Sequence, residues 1–219
     1  MALFNRTSYR YIVVLIVVMA AACSTVDDSM AVQSFKTDKP CAAPCWYGLE
    51  PGSSTKADVV AVLKQLDFVD SASIQEYSTT CLGDDHAQGI SFGCVHPQTA
   101  SCGGAVIFGD KLKLLTLSAS SKLTVKMTVD KLGIPDYVEY GLGAQEVGGC
   151  KTVLSWPQRG IEVVVFDATN ETVCRALMGG QGIPPDLRVT DLDYLAQDAF
   201  ASGPAGCCPR IPWPGFAKP

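Results

Sequence analysis

Apolar residues recur in this chain first with a helical period and then with the period of strands. The first helical stretch follows Gly52-Ser53-Ser54, and Thr55 and Asp58 have the spacing of an N-terminal capping box. Four apolar residues then fall on one helical face: Val59, Val62, Leu63 and Leu66. This spacing predicts an amphipathic helix that buries the apolar face in the core.

A second helix is predicted further along the chain, where Ser121 or Thr124 can act as the N-cap. Its apolar stripe comprises Val125, Val129 and Leu132. Gly133 supplies a C-terminal residue that tolerates positive φ, and Pro135 prevents the helix from continuing.

After each helix the pattern changes to short segments rich in β-branched and aromatic residues. Strands are predicted over residues 74–77, 89–95, 104–108 and 111–118, and again over 137–140, 151–156 and 160–166. Turns are expected at Gly109-Asp110 and at Pro157–Gly160. A short helix is expected at Asp191–Ala199, followed by a Pro- and Gly-rich tail. A helix followed by consecutive antiparallel strands predicts an α+β fold with the helices on one sheet face.

The two helix-and-strand segments resemble each other at a shift of 69 residues. Matches include Thr55 with Thr124 and Cys81 with Cys150. The predicted fold is therefore two helix-plus-antiparallel-sheet repeats, stabilised by disulfides, with an irregular C-terminal extension. The predicted boundaries are a signal peptide at 1–22, a flexible tether at 23–40, repeats at 41–118 and 119–178, and the extension at 179–219.

The N-terminus has the pattern of a leader for export. Arg6 and Arg10 precede the apolar run Ile12–Ala22, which is short for a membrane span and ends in small residues. The segment Ala20–Cys23 resembles a bacterial lipobox, which predicts cleavage before Cys23 and lipidation of its thiol. The same residues fit ordinary signal peptidase, so a secreted or periplasmic soluble protein is the alternative, and a retained anchor is a third possibility.

The charge of the chain is acidic. The net charge of the 219-residue chain is −5, and removal of the two leader arginines lowers it by two to −7. An acidic chain without a basic cluster argues against nucleic acid as a partner. The expected location is the bacterial cell envelope, with the protein held at the membrane by lipid.

Ten cysteines are typical of an exported chain, in which disulfides form. Local pairs are expected: Cys41 with Cys45, Cys81 with Cys94 or Cys102, and Cys150 with Cys174. Adjacent Cys207 and Cys208 are unfavourable partners for each other. Sequence alone leaves the connectivity open, including whether Cys23 is acylated or paired.

The residues with metal-binding chemistry cluster within 22 positions: Cys81, His86, Cys94, His96 and Cys102. Their spacing matches no familiar zinc pattern, and export favours disulfides, so no metal and no cofactor are predicted. The Cys41-x-x-x-Cys45 spacing differs from the C-x-x-C redox motif. No G-x-S-x-G occurs and the chain has two histidines, so no catalytic residues are predicted and the protein is expected not to be an enzyme.

Three segments carry a resemblance to known bacterial proteins. Residues 48–63 and Leu132–Asp136 resemble the motifs that open and close the helix in small outer-membrane lipoproteins of the SmpA/BamE type, which are similar in shape to the β-lactamase inhibitor protein. Residues 40–48 resemble the start of uncharacterised bacterial lipoproteins with a Cys pair, Pro and Trp. The resemblance implies a tandem helix-on-sheet fold and a binding or scaffolding role at the envelope.

The leading functional hypothesis is a non-enzymatic envelope lipoprotein that binds or scaffolds another envelope protein. Four aromatic residues are candidates for such a surface, with core packing as their alternative role: Trp46, Tyr47, Trp156 and Trp213. A second hypothesis is an inhibitor or sensor module that binds a secreted enzyme or ligand. A metal-binding role for the Cys/His cluster is the least favoured.

Overall fold

The computed structural model describes residues 30–79, 87–95, 101–119, 122–142, 150–167, 172–201 and 210–217. The helices are α1 (Met30–Thr37), α2 (Lys56–Gln65), α3 (Val125–Leu132), α4 (Thr172–Met178) and α5 (Gln197–Ala201). The strands are β1 (Val69–Thr79), β2 (Ala87–Cys94), β3 (Ser101–Phe108), β4 (Lys111–Ser118), β5 (Tyr137–Leu142), β6 (Cys150–Trp156), β7 (Ile161–Asp167), β8 (Asp191–Leu195) and β9 (Arg210–Ile211). No helix within these ranges has the length and apolar content that crossing a bilayer requires.

All nine strands belong to one antiparallel sheet, in the order β1-β2-β3-β4-β8-β7-β6-β5-β9. The prediction of two separate helix-plus-sheet repeats is therefore wrong. The strands of the two halves are joined by β8, which pairs with β4 on one side and with β7 on the other. This pairing satisfies the backbone groups of two strands that would otherwise be sheet edges.

Strand β8 also corrects the helix predicted at Asp191–Ala199, because only Gln197–Ala201 is helical there. Leu192 and Tyr194 are fully buried on one face of β8, while Asp191 and Asp193 lie on the other. This alternation has the two-residue period of a strand with one buried face.

The starts of helices α2 and α3 are confirmed. The Thr55 hydroxyl accepts from the backbone N–H of Asp58 at 3.2 Å, and the Asp58 carboxylate accepts from the backbone N–H of Thr55 at 2.8 Å. Thr124 caps α3 by accepting from the backbone N–H of Met127. Gly133 ends α3 with a φ of 83°, the positive value that a glycine tolerates without strain.

The core lies between the helices and one face of the sheet, here called the inner face. Buried residues of four helices join the same cluster as the inward side chains of the strands. From the helices these are Val32, Phe35, Val59, Leu63, Val125, Leu132, Val173, Cys174 and Leu177. Helix α1 falls inside the expected tether at 23–40, so the described part of that segment is folded against the core.

The predicted irregular extension at 179–219 contains the central strand β8, and its last described segment, residues 210–217, is held at two places. Strand β9 pairs with β5 through Arg210 and Glu139. The backbone N–H of Ile183 donates to the carbonyl of Gly215 at 3.0 Å, and the N–H of Ala217 donates to the carbonyl of Ile183 at 2.9 Å. The described end of the extension is therefore a docked segment.

Three disulfides are present in the described residues. Cys41–Cys45 and Cys150–Cys174 are the expected pairs. The third joins Cys94 to Cys102, so the expectation that Cys81 pairs with one of them is wrong. Cys94 and Cys102 lie on β2 and β3, which are antiparallel neighbours in the sheet, and this pairing brings the two cysteines together. Cys81 lies outside the described residues, as do Cys23, Cys207, Cys208 and the predicted signal peptide.

Candidate functional site: a polar row on the outer face of the sheet

A continuous row of polar or small residues crosses eight strands on the face of the sheet opposite the helices, here called the outer face. Each residue is the direct cross-strand partner of the next. In order across the sheet the polar row comprises Gln75, Ser91, Gly104, Thr116, Asp193, Glu162, Ser155 and Tyr137. Neighbours in such a row have Cβ atoms about 5 Å apart, so their side chains interact.

The sequence neighbours of the row show why it occupies this face. Leu115 and Leu117 flank Thr116, Leu192 and Tyr194 flank Asp193, and all four side chains belong to the core cluster. Successive side chains in a strand point to opposite faces, so Thr116 and Asp193 point away from the helices.

Asp193 is the least hydrated carboxyl group of the polar row. The residue is half-buried, yet its Oδ1 atom is buried and has no hydrogen-bond partner. Burial raises the pKa of Asp193 to about 7, and the negative charges of Glu162 and Asp191 act in the same direction. A hydrogen bond with Thr116 and the positive charge of Lys151 oppose this increase. Asp193 therefore changes its charge close to neutral pH.

Glu162 lies beside Asp193 and is joined to a chain of hydroxyl groups. The Ser155 hydroxyl donates to the Glu162 carboxylate at 2.9 Å, and Ser155 is also hydrogen-bonded to Tyr137. Burial raises the pKa of Glu162, and burial likewise raises the pKa of Tyr137. Ser155 is fully buried, and its hydroxyl orients the Glu162 carboxylate.

Asp191 is two residues before Asp193 on the same strand face and extends the acidic surface. Burial raises the pKa of its carboxyl group, against hydrogen bonds from Thr190 and Ser118. Four carboxyl groups thus lie on strands β5, β7 and β8 of the outer face: Glu139, Glu162, Asp191 and Asp193.

Two cations accompany these carboxyl groups on the outer face in the part of the chain that the structure describes. Arg210 forms an ion pair with Glu139, and its guanidinium lies 4.7 Å from the centre of the Tyr137 ring. Lys151 is exposed on β6. With Arg210 committed to Glu139, the remaining acids outnumber the remaining cation, and the outer face is a negative surface.

Apolar side chains border the polar row towards the β1 end of the sheet. The Tyr77 side chain is 51% exposed and the Phe108 side chain is 38% exposed. The Tyr77 ring lies over Gly89, where a Cβ atom would be 2.3 Å from the ring. The glycine therefore allows the ring to lie across the neighbouring strand.

The four aromatic residues predicted to form a binding surface do not lie together on the outer face. Trp46 and Trp156 are buried at 0% and 3% exposure, and the Trp156 indole N–H donates to the Gly133 carbonyl at 3.0 Å. Core packing therefore accounts for both tryptophans. Tyr47 and Trp213 are half-buried, the first in the turn before Leu49 and the second in the docked C-terminal segment.

The structure does not assemble the Cys/His cluster as a metal site from the residues that it describes. Cys94 and Cys102 are bonded to each other, while Cys81, His86 and His96 lie outside the described ranges. Among the described residues, no group of three histidine, cysteine or carboxylate side chains has a metal-binding arrangement.

Comparison with protein families, with characterised proteins and with solved structures finds no match to this chain. The function must therefore be argued from the outer face itself. Sequence reasoning missed this site, although the alternation in Asp191-Leu192-Asp193-Tyr194-Leu195 was a signal that could have indicated it.

Proposed function

We propose that this chain is a non-enzymatic binding protein that takes a basic protein partner on the outer face of its sheet. The observation that carries the proposal is the polar row, with two carboxyl groups in it (Glu162 and Asp193) and two beside it (Glu139 and Asp191), bordered by exposed aromatic rings. Basic side chains of a partner complement this charge, and aromatic residues supply much of the binding energy at protein interfaces.

The hydrogen bonding of Asp193 and the charges around it favour a cationic partner. Its buried Oδ1 lacks a hydrogen-bond donor, and its nearest charged neighbours include two further carboxyl groups. A buried acceptor without a donor reduces stability by about 1–3 kcal/mol. A lysine or arginine placed over Asp193 and Glu162 supplies donors and positive charge, which favours binding.

The shape of the surface supports a protein rather than a small molecule. The polar row spans eight strands, which are about 4.8 Å apart, so it extends over roughly 30 Å. Protein interfaces have this dimension, with about 800 Å² covered on each partner.

Attachment to the bacterial envelope through lipid at Cys23 belongs to the same proposal and rests on the leader sequence. Intact-mass measurement of the mature protein tests it. Acyl chains on an N-terminal Cys23 support the lipid anchor, an unmodified thiol at that residue means a soluble exported protein, and an intact leader contradicts lipidation at Cys23.

The partner chemistry is tested by titrating the purified, disulfide-intact protein with an oligolysine peptide and with an oligoglutamate peptide of equal length. Changes in the chemical shifts of the backbone amides identify the residues at which the peptide binds. Oligolysine is expected to change the amide chemical shifts of Thr116, Ser118 and Asp191, and oligoglutamate is expected to leave these shifts unchanged. Shifts confined to the helices, or equal effects of the two peptides, contradict the proposal.

Substitution of a carboxylate by an amide of nearly equal shape shows which charges contribute to the binding of oligolysine. Glu162→Gln and Asp191→Asn should each weaken oligolysine binding several-fold, because each removes one charge from the outer face. The matched control is Asp130→Asn, which removes an exposed carboxylate of α3 that pairs with Lys126. Equal weakening by all three variants would show that net charge alone drives binding.

A site-specific photocrosslinker in cells tests the natural partner. Placed at Tyr77, it is expected to form an adduct with a basic protein, and this adduct should disappear in the Glu162→Gln background. The control position is Ile134, which is 71% exposed at the end of α3. The same adduct from both positions, or an adduct that survives Glu162→Gln, contradicts binding through the outer face.

A further inference from the structure

A cleft of about 640 Å³ lies between helix α1 and the turn that follows the Cys41–Cys45 disulfide. Its lining residues are Gln33, Ser34, Thr37, Lys39, Pro40 and Tyr47. The cleft is shallow and open to solvent on one side, so a ligand bound there would stay partly exposed. Because α1 packs on the inner face of the sheet, this α1 cleft is separate from the proposed protein-binding surface.

Helix α1 forms one wall of the cleft, and it is fixed by its buried side chains and by an ion pair just after its C-terminal end. Val32 and Phe35 are buried at 0% and 1% exposure and attach the helix to the core. Lys131 donates to the Asp38 carboxylate at 2.8 Å and lies 5.5 Å from the centre of the Phe35 ring. A wall fixed in this way loses little conformational entropy when a ligand binds.

The opposite wall is a tight two-residue turn. Trp46 and Leu49 exchange backbone hydrogen bonds of 2.9 Å, and the turn residues Tyr47 and Gly48 have φ values of 51° and 87°. Positive φ at both central residues is the geometry of a type I′ turn, which favours Asn, Asp or Gly. Tyr47 is therefore unfavourable for the backbone, and the turn places its ring at the cleft, 5.1 Å from Trp46 between ring centres.

Ser34 lines the cleft and has a hydroxyl group without a protein partner in the described part of the chain. It is 2% exposed, and its Oγ atom is buried without a hydrogen-bond partner. Buried hydroxyl groups in folded proteins are nearly always paired with protein or with water. A ligand hydroxyl that reaches Ser34 would complete this pairing.

The charges around the cleft select the kind of ligand. Asp38 is paired with Lys131, whereas the adjacent Lys39 is exposed and has no ion pair with another described residue. Burial and the charge of Asp67 both raise the pKa of Tyr47, so its hydroxyl stays neutral and can donate. The cleft thus combines one ammonium group, neutral hydroxyl and amide groups, and one aromatic ring.

We propose that the α1 cleft binds a small sugar that carries a carboxylate group. Lys39 pairs with the carboxylate, Ser34 hydrogen-bonds a ring hydroxyl, and Tyr47 packs against the apolar C–H face of the sugar. Lys39 is exposed, and the Ser34 hydroxyl has no protein partner among the described residues. The half-buried Tyr47 ring, which also contacts Trp46 and Phe68, offers its remaining exposed part to the sugar.

The probes are D-glucuronate, D-glucose and acetate, each titrated into the purified, disulfide-intact protein and followed by calorimetry and ligand-observed NMR. Glucuronate is expected to bind saturably and at least about tenfold more tightly than glucose, because a charge-assisted contact has this effect. Acetate is expected to bind more weakly than glucuronate, because it lacks the ring. Equal binding of glucuronate and glucose, or no saturable binding, overturns the proposal.

Three variants assign the contacts. Lys39→Gln should weaken glucuronate about tenfold and leave glucose unchanged, with Lys64→Gln on α2 as the matched exposed control. Tyr47→Asn keeps a residue suited to the turn and removes the ring, so it should weaken both sugars. Ser34→Ala should weaken both sugars about fivefold without lowering the melting temperature. Unchanged glucuronate affinity in Lys39→Gln or in Ser34→Ala overturns the proposal, whatever the outcome for oligolysine.

Discussion

Glu162 and Asp193 lie directly opposite each other on strands β7 and β8, and both carboxyl groups have pKa values above their usual range. Like charges in directly opposed positions of a sheet destabilise it. The structure reduces this repulsion through burial, which favours the protonated form of Asp193, and through the Ser155 hydroxyl, which donates to Glu162. The negative charge of the pair therefore increases as the pH rises through neutrality, and a cationic partner would favour the ionised form of both groups.

The first prediction concerns Asp193→Asn and the pH dependence of stability. The pKa of Asp193 is about 7 in the folded protein and about 3.8 when exposed, so the folded state holds its proton more tightly. The resulting stability is fully present below about pH 4 and is lost as the pH rises to about 7, up to about 4 kcal/mol for this shift. Urea unfolding at several pH values should show this decline in the wild type.

Asparagine does not ionise, so Asp193→Asn should flatten the decline and should be more stable than the wild type at pH 8. The charges that face Asp193 are Glu162, Asp191 and Lys151, and they remain in this variant. Asp130→Asn serves as the control and should keep the wild-type pH profile. A variant less stable than the wild type at pH 8 would show that the Asp193 carboxylate is favourably paired.

The second prediction concerns the capping box of α2. Thr55→Ala removes the hydroxyl that accepts from the Asp58 N–H, and the free energy of unfolding should fall by about 1 kcal/mol. Thr55→Ser keeps the hydroxyl and should retain most of the stability. Equal losses in the two variants would attribute the effect to the threonine methyl group.

The third prediction ranks two disulfides by loop length. Cys150–Cys174 spans 24 residues and Cys94–Cys102 spans 8. The chain-entropy relation gives about 3.5 kcal/mol for the longer loop and about 2.5 kcal/mol for the shorter one. Paired replacement of each disulfide by serine should therefore lower the melting temperature more for Cys150/Cys174. The reverse order would mean that packing around the sulfurs outweighs loop closure.

The fourth prediction concerns the docked C-terminal segment. A Cβ atom on Gly182 would lie 2.4 Å from the backbone carbon of Phe216, so Gly182→Ala should detach this segment. Trypsin should then cleave faster after Arg210 in β9, as measured by mass spectrometry. Gly179→Ala is the control, because its nearest contact is an ordinary 3.4 Å from the Arg175 carbonyl. Equal cleavage rates in Gly182→Ala and the wild type would show that the segment is held elsewhere.

Local sequence was enough to predict the structures whose causes are themselves local. The Thr55–Asp58 cap, the Thr124 cap and the strands around Leu115 and Val163 all follow from short-range hydrogen bonding and from the period of apolar residues. The Cys41–Cys45 pair is also local, since the two residues are four positions apart.

Strand β8 was missed because aspartate disfavours strands and the segment is short. Its conformation depends on pairing with β4 and β7, whose residues are far away in the sequence. The outer-face site was missed for the same reason, since Thr116, Glu162 and Asp193 meet only through these pairings.

The amino-acid pattern established the two capped helices, most of the strands and their apolar faces, and an acidic chain with an export-like leader, but not the helices at Met30–Thr37 and Thr172–Met178 or strand β8. Long-range strand pairing established that the two halves form one sheet, that four carboxyl groups gather on its outer face, and that Trp46 is core. The division has a physical reason: periodicity and capping act over a few residues, whereas register, burial and pKa depend on which distant strands become neighbours.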